Sequence, residues 1–340
     1  MIIGIPRGLL YYYFAPYWET FFKELGCEIL LSSETNKNIL DNGIKYSVDE
    51  ACLPVKVFFG HIIDLKNKNV DYIFIPRMIS FEEKRYLCPK FLGLPDFIKN
   101  MIRDLPPVIE IKVNNYKNRL LTDINIYKTG LKLTKNIFKI REAHQKAKIK
   151  QREYEEWMKK GYTYNEALKL IKGEEVEQKN FNLKIGLLSH AYNIMDDYMS
   201  MKIIDKIRDM GADVVLSGML EQEHIEYGAS KLPKDMFWSY GRELYGAARY
   251  FLDHECVNGV IVLSAFGCGT DSIIKEIIER EYKRRNTIPL LSLTIDEHTG
   301  EAGVLTRLEA YLDLLLRKGY RDENNISSYG DHVNTCKSHA

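Results

Sequence analysis

Six cysteines punctuate the chain: Cys27, Cys52, Cys88, Cys256, Cys268 and Cys336. Three of them share one local context. Cys52 lies in DEACLPVKVFFGH, Cys88 in YLCPKFLGLPD and Cys268 in SAFGCGTDS. Each is expected at the start of a helix. Pro54 and Pro89 follow the first two closely, and proline suits the first helical turn. Ser47 and Glu50 offer an alternative capping box for the Cys52 helix. Cys268 sits between glycines, ahead of a helix expected to begin near Thr270 or Asp271. A helix start offers free N–H groups and a partial positive charge. Both favour the thiolate, the form of cysteine that binds metal. The chemistry these residues suggest is metal or cluster ligation.

The competing reading is a buried structural thiol, the usual state of a free cysteine. It wins for Cys27, which opens a core strand, and for Cys256, which ends an apolar helix. Cys336 lies near His332 and His339 in a polar tail, where a metal site competes with a solvated segment. No pair has C-x-x-C spacing, so the fold must assemble any shared site. His61, one or two turns into the Cys52 helix, is a candidate fourth ligand, with packing as the alternative. Structural zinc wants four closed ligands. Iron–sulfur clusters are held by thiolates, and three would leave one iron open.

Elements that can position such loops recur along the chain. Residues 2–32 and 184–217 each read as strand, loop, amphipathic helix, glycine turn and second strand, ending GCEILLS and GADVVLS. NVDYIFIPRM (69–78) and NGVIVLSAFG (258–267) are further strands, as is TIPLLSLTID (287–296), and PPVIEIKV (106–113) closes the first half. Alternating strands and helices predict an α/β protein with two doubly wound parallel-sheet domains from a duplicated unit. The expected boundaries are 1–130 and 181–322, with a charged helical connector over 131–180 and a polar tail over 323–340. Sites in such sheets lie beyond the carboxyl ends of the strands.

Other residues leave those strand ends. Arg7 and Arg77 both follow Ile-Pro and are expected on the cluster side, where a guanidinium would stabilise an anionic centre. A surface ion pair is the equal alternative for each. Tyr11, Tyr12 and Tyr13 follow the first strand, but with 22 tyrosines in the chain packing is the expected role of any one. Glu297 and His298 are acid–base types in a dense polar loop, in which Asp296 or Thr299 can simply cap the next helix. No G-x-x-x-x-G-K-S/T occurs, so ATP hydrolysis is expected of a partner.

The 340 residues suit two domains, and 45% hydrophobic content provides for buried cores. A net charge of +1 argues against nucleic-acid or anionic-membrane binding. No apolar run approaches the ~20 residues of a membrane span, and the first residues lack a signal-peptide pattern. A cytoplasmic protein is expected.

IGIPRGLLYYY, DEACLPVKVFFGH, IFIPRM, YLCPKFLGLPD, FGCGTDS and IDEHTGEAGVLTRLEAY together resemble the 2-hydroxyacyl-CoA dehydratase activase-related family. More distantly they resemble 2-hydroxyacyl-CoA dehydratase subunits and double-cubane cluster proteins. The resemblance covers nearly the whole chain outside the connector and tail. It implies two flavodoxin-like domains and an iron–sulfur cluster, 4Fe-4S or double cubane, held by Cys52, Cys88 and Cys268 in the interdomain cleft. It also implies an ATP-hydrolysing activator with its own 4Fe-4S cluster as electron donor, and a homodimer or a pairing with a homologous subunit. Three functions compete: a low-potential redox protein passing electrons to a small substrate, a dehydratase-like enzyme acting on a 2-hydroxyacyl-CoA thioester, and a non-catalytic partner without cluster.

Overall fold

The computed structural model describes residues 1–177 and 181–323, so the expected polar tail and Cys336 lie outside the described residues. Two compact units emerge. The first comprises Met1–Glu156, Tyr164–Glu174 and Met236–Tyr240, and the second Trp157–Thr163, Glu175–Asp235 and the chain from Gly241 onward.

In the first unit the strands are β1 (Ile2–Ile5), β2 (Glu28–Leu31), β3 (Tyr72–Phe74), β4 (Arg77–Ser80), β5 (Val108–Ile109) and β6 (Lys112–Asn114). Its helices are α1 (Tyr11–Glu24), α2 (Lys37–Tyr46), α3 (Leu53–Lys66), α4 (Pro89–Met101) and α5 (Leu120–Leu133). Helices α6 (Ile137–Lys159) and α7 (Tyr164–Leu170) follow. The second unit is built on β7 (Leu183–Leu188), β8 (Ala212–Leu216), β9 (Gly259–Ala265) and β10 (Leu290–Ile295). The remaining helices are α8 (Ala191–Ile194), α9 (Ile203–Asp209), α10 (Gln222–Ala229), α11 (Ser239–His254), α12 (Gly269–Arg285) and α13 (Glu301–Glu323).

Both main sheets are parallel. Their orders are β2-β1-β3-β5 and β8-β7-β9-β10, the same plan twice, as in doubly wound flavodoxin-like domains. β9 is buried at every residue, as a strand covered on both faces must be. Gly26 and Gly211, at φ +89° and +88°, make the same left-handed turn into β2 and β8.

The duplication reaches further than the sequence pattern suggests. Two helices join the second and third strands in each half: α2 and α3, then α10 and α11. Each pair crosses at glycines. A Cβ on Gly43 would overlap the Lys56 carbonyl, and one on Gly60 the Ile39 carbonyl. A Cβ on Gly228 would overlap the Gly246 carbonyl, and one on Gly246 the Ile225 carbonyl. Backbone packs directly on backbone at both crossings.

Two expectations change. The strands 69–78 and 106–113 are each broken in two. β3 and β5 belong to the main sheet, while β4 and β6 pair separately as a two-stranded parallel ribbon. Pro76 stands at the break and has no N–H to give a ladder. The expected connector is shared between the units. Ile140, Ala143, Ala147 and Tyr154 of α6 are fully buried, and Tyr154 Oη donates to the Tyr12 carbonyl at 2.6 Å. Tyr17 Oη, His144 and Asp123 form a further chain linking α1, α6 and α5, with distances of 2.5 and 3.1 Å.

Candidate functional site

Each of the three singled-out cysteines is the N-cap residue of a helix: Cys52 of α3, Cys88 of α4 and Cys268 of α12. Proline occupies the first turn of α3 and α4. None of the three side chains serves as the cap acceptor. None of the three is in a disulfide; Cys52 is buried, and Cys88 and Cys268 are partly exposed. The helix dipole and open N–H groups therefore face each sulfur's own segment. Cys88 and Cys268 also occupy related places in the duplicated plan, each capping the helix that follows the third-strand segment. The residue before α11, which corresponds to Cys52, is Trp238.

Cys268 sits at the carboxyl end of β9, beside a solvent-open depression of about 1090 Å³ lined in part by Phe266, Gly267, Gly269, Lys275 and Thr294. Gly267 has φ +76°, and a Cβ on Gly269 would meet open space. The helix begins at Gly269, one residue earlier than expected.

Two residues around Cys268 escaped the sequence reading. His190 Nε2 lies 2.7 Å from Asp271 Oδ1, with His190 and Asp271 4% and 6% exposed. Burial pushes the imidazole toward neutrality. The Asp271 carboxylate and Cys268 outweigh that, and its pKa is pushed up to about 10. The ligand atoms of His190, Cys268 and Asp271 all lie within 4.8 Å of one another. His190 stands in SHAYN, straight after β7, so the strand-end rule already pointed to its loop; no spacing linked it to Asp271, 81 residues on.

His61 is not available as a ligand. It is fully buried, Ser32 Oγ lies 2.9 Å from Nδ1 and Thr35 Oγ1 3.0 Å from Nε2. Burial pushes its pKa down to about 3, so it packs as a neutral ring. Cys27 is a buried thiol, at 7% exposure, whereas Cys256, at 4%, is disulfide-bonded and not the thiol expected.

The two arginines differ. Arg77 opens β4 instead of leaving the sheet, and is held by Glu110 at 2.5 Å, Asp96 at 2.7 Å and the Leu92 carbonyl. Arg7 makes one long contact to Glu34 at 3.4 Å, and its buried Nε finds no acceptor among the described residues. Tyr11 donates to Glu19 at 3.2 Å, and Tyr13 stacks on Tyr240 with centroids 4.6 Å apart, so both have packing roles. Tyr11 also borders a narrow apolar cleft in the first unit, with Pro6, Trp18, Phe58 and Phe91.

Glu297 and His298 follow β10 in a turn closed by Asp296, whose Oδ1 accepts from the His298 N–H at 2.9 Å and from Thr299 Oγ1 at 2.7 Å. His298 is exposed. Glu301 opens α13 and pairs with Lys206 at 2.6 Å.

Among the described residues no helix is long and apolar enough to cross a membrane. No curated protein matches the chain. A family profile does match, over residues 2–220, which is more than half of the sequence and takes in β1 to β8 with Cys52 and Cys88. The chain therefore belongs to the family described as the CoA enzyme activase uncharacterised domain (DUF2229).

Proposed function

We propose that this protein is an iron–sulfur redox protein that holds a low-potential cluster through Cys52, Cys88 and Cys268. The observation that carries this reading is that all three stand at helix N-caps and none is in a disulfide. The donor set suits the group: iron–sulfur clusters are held by cysteine sulfurs, and the open space at Gly269 and the depression at Cys268 leave room beside one ligand. Bound there, a cluster supplies one-electron chemistry at low potential. The chain's own groups would orient the sulfurs and offer N–H donors to them. Arg7 is the arginine with unspent donors for an anionic centre, whereas Arg77 already serves two carboxylates.

The family description places the chain among domains of CoA enzyme activases. An ATP-hydrolysing activator with its own 4Fe-4S cluster is the matching electron donor, and a CoA enzyme or homologous subunit the matching assembly partner. The same description favours a second reading, a dehydratase-like enzyme acting on a 2-hydroxyacyl-CoA thioester. Glu297 and His298 are its acid–base candidates.

Anaerobic purification with iron and acid-labile sulfide counts and EPR of the reduced protein tests the first reading. About four irons per chain correspond to one cubane and about eight to a double cubane. Colourless protein carrying stoichiometric zinc would rule it out. Calorimetric binding of a 2-hydroxyacyl-CoA thioester separates the second reading from the first.

A further inference from the structure

β7 and β9 are neighbours in the second sheet, with Leu188 opposite Val262, so the loops that leave them emerge side by side. The β7 loop delivers His190 and the β9 loop delivers Cys268 and then Asp271, in the first turn of α12. One edge of the imidazole is fixed by Asp271, at 2.7 Å. A ligand atom of the ring and the Cys268 sulfur lie within 4.8 Å of each other.

That proximity restricts what His190 does once Cys268 carries iron. Each iron of a cubane is bound by three sulfides and takes a single outside ligand. The iron that Cys268 would serve has its one outside position filled by that sulfur, and a His190 nitrogen lies within 4.8 Å of the same sulfur. Asp271 holds Nε2, and Nδ1, the other ring nitrogen, is buried. Hydrogen bonds to ligand sulfurs and fixed partners behind a ligand tune cluster potentials.

We propose that His190, held by Asp271, is a positioning residue that donates a hydrogen bond to the Cys268 sulfur of the bound cluster and stabilises its reduced state, instead of supplying a fourth ligand to iron. The inference rests on the reading of Cys268 as a cluster ligand. It assigns the buried His190–Asp271 pair a role that the packing of α12 alone does not require.

Protein labelled with ¹⁵N-histidine, purified anaerobically with its cluster, tests this by pulsed EPR of the reduced state. A weak nitrogen coupling, too small for direct ligation, is expected in the wild type and should vanish in His190→Gln. That variant should keep its iron count and shift the midpoint potential to a more negative value. Absence of the coupling in the wild type, or a potential unmoved by His190→Gln, overturns the inference and leaves the cluster reading standing. A coupling of the size given by a bound nitrogen overturns it in favour of ligation. Wild-type protein without iron, or with zinc at His190, Cys268 and Asp271, overturns both.

Discussion

A methyl group on Gly60 would overlap the carbonyl oxygen of Ile39, because α2 and α3 cross with their backbones in contact. Gly60→Ala must therefore push two helices apart, and a loss of about 3 kcal/mol or more is expected. Gly93, in the middle of α4, has nothing within 4 Å of the same added atom. Gly93→Ala should stabilise by about 0.5–1 kcal/mol, through helix propensity. Urea unfolding of the two variants checks the pair; equal and small effects would mean that the helices do not touch there.

The cysteines divide into two groups. Cys52→Ala, Cys88→Ala and Cys268→Ala should each lower bound iron and bleach the visible band, while Cys27→Ala should leave both unchanged. Cys27 is buried just ahead of β2 and its thiol is pushed up by burial, which disfavours the thiolate. Iron analysis of the four variants decides; equal losses in all four would refute the ligand assignment.

His61 makes stability depend on pH. Its folded pKa, about 3, lies below the ordinary 6.5, with burial as the main cause. The unfolded chain takes up a proton below pH 6.5 and the folded chain does not. This contribution is present above pH 6.5 and lost as pH falls toward 3, at up to about 1.4 kcal/mol per pH unit. His61→Gln should show a shallower acid limb in unfolding curves than the wild type. Identical limbs would mean that His61 is protonated in the fold.

Arg77→Met should destabilise without touching iron. The substitution strips the half-buried Glu110 of its main partner and frees Asp96 and the Leu92 carbonyl. A loss of about 1–3 kcal/mol is expected, with the cluster signal intact. Retained stability with a shifted potential would instead put Arg77 at the redox centre.

Much of this architecture was legible because its signals are local. The glycine turns at Gly26 and Gly211 and the β-branched strands after them announce a repeated unit by residue type alone. Pro54 and Pro89 likewise mark the helix starts that Cys52 and Cys88 cap. What stayed hidden depends on distant pairings. Nothing near Gly60 names Ile39 as its neighbour, and nothing near His190 names Asp271. Pro76 was visible, but its effect was not: only the ladder shows that the chain resumes as β4 and pairs with β6. The partners of Arg77 stayed hidden for the same reason, since its carboxylates come from α4 and from the loop between β5 and β6.

The matched sheets also carry a record of ancestry. A doubled unit inherits every loop twice, so residues inherited from it should come in pairs. Cys88 and Cys268 are such a pair. Cys52 is not, because Trp238 stands where its twin would be. An odd number of capping cysteines across two like halves means that at least one was gained or lost after the doubling. The two halves have since diverged in side chain while keeping strand order and helix crossings alike.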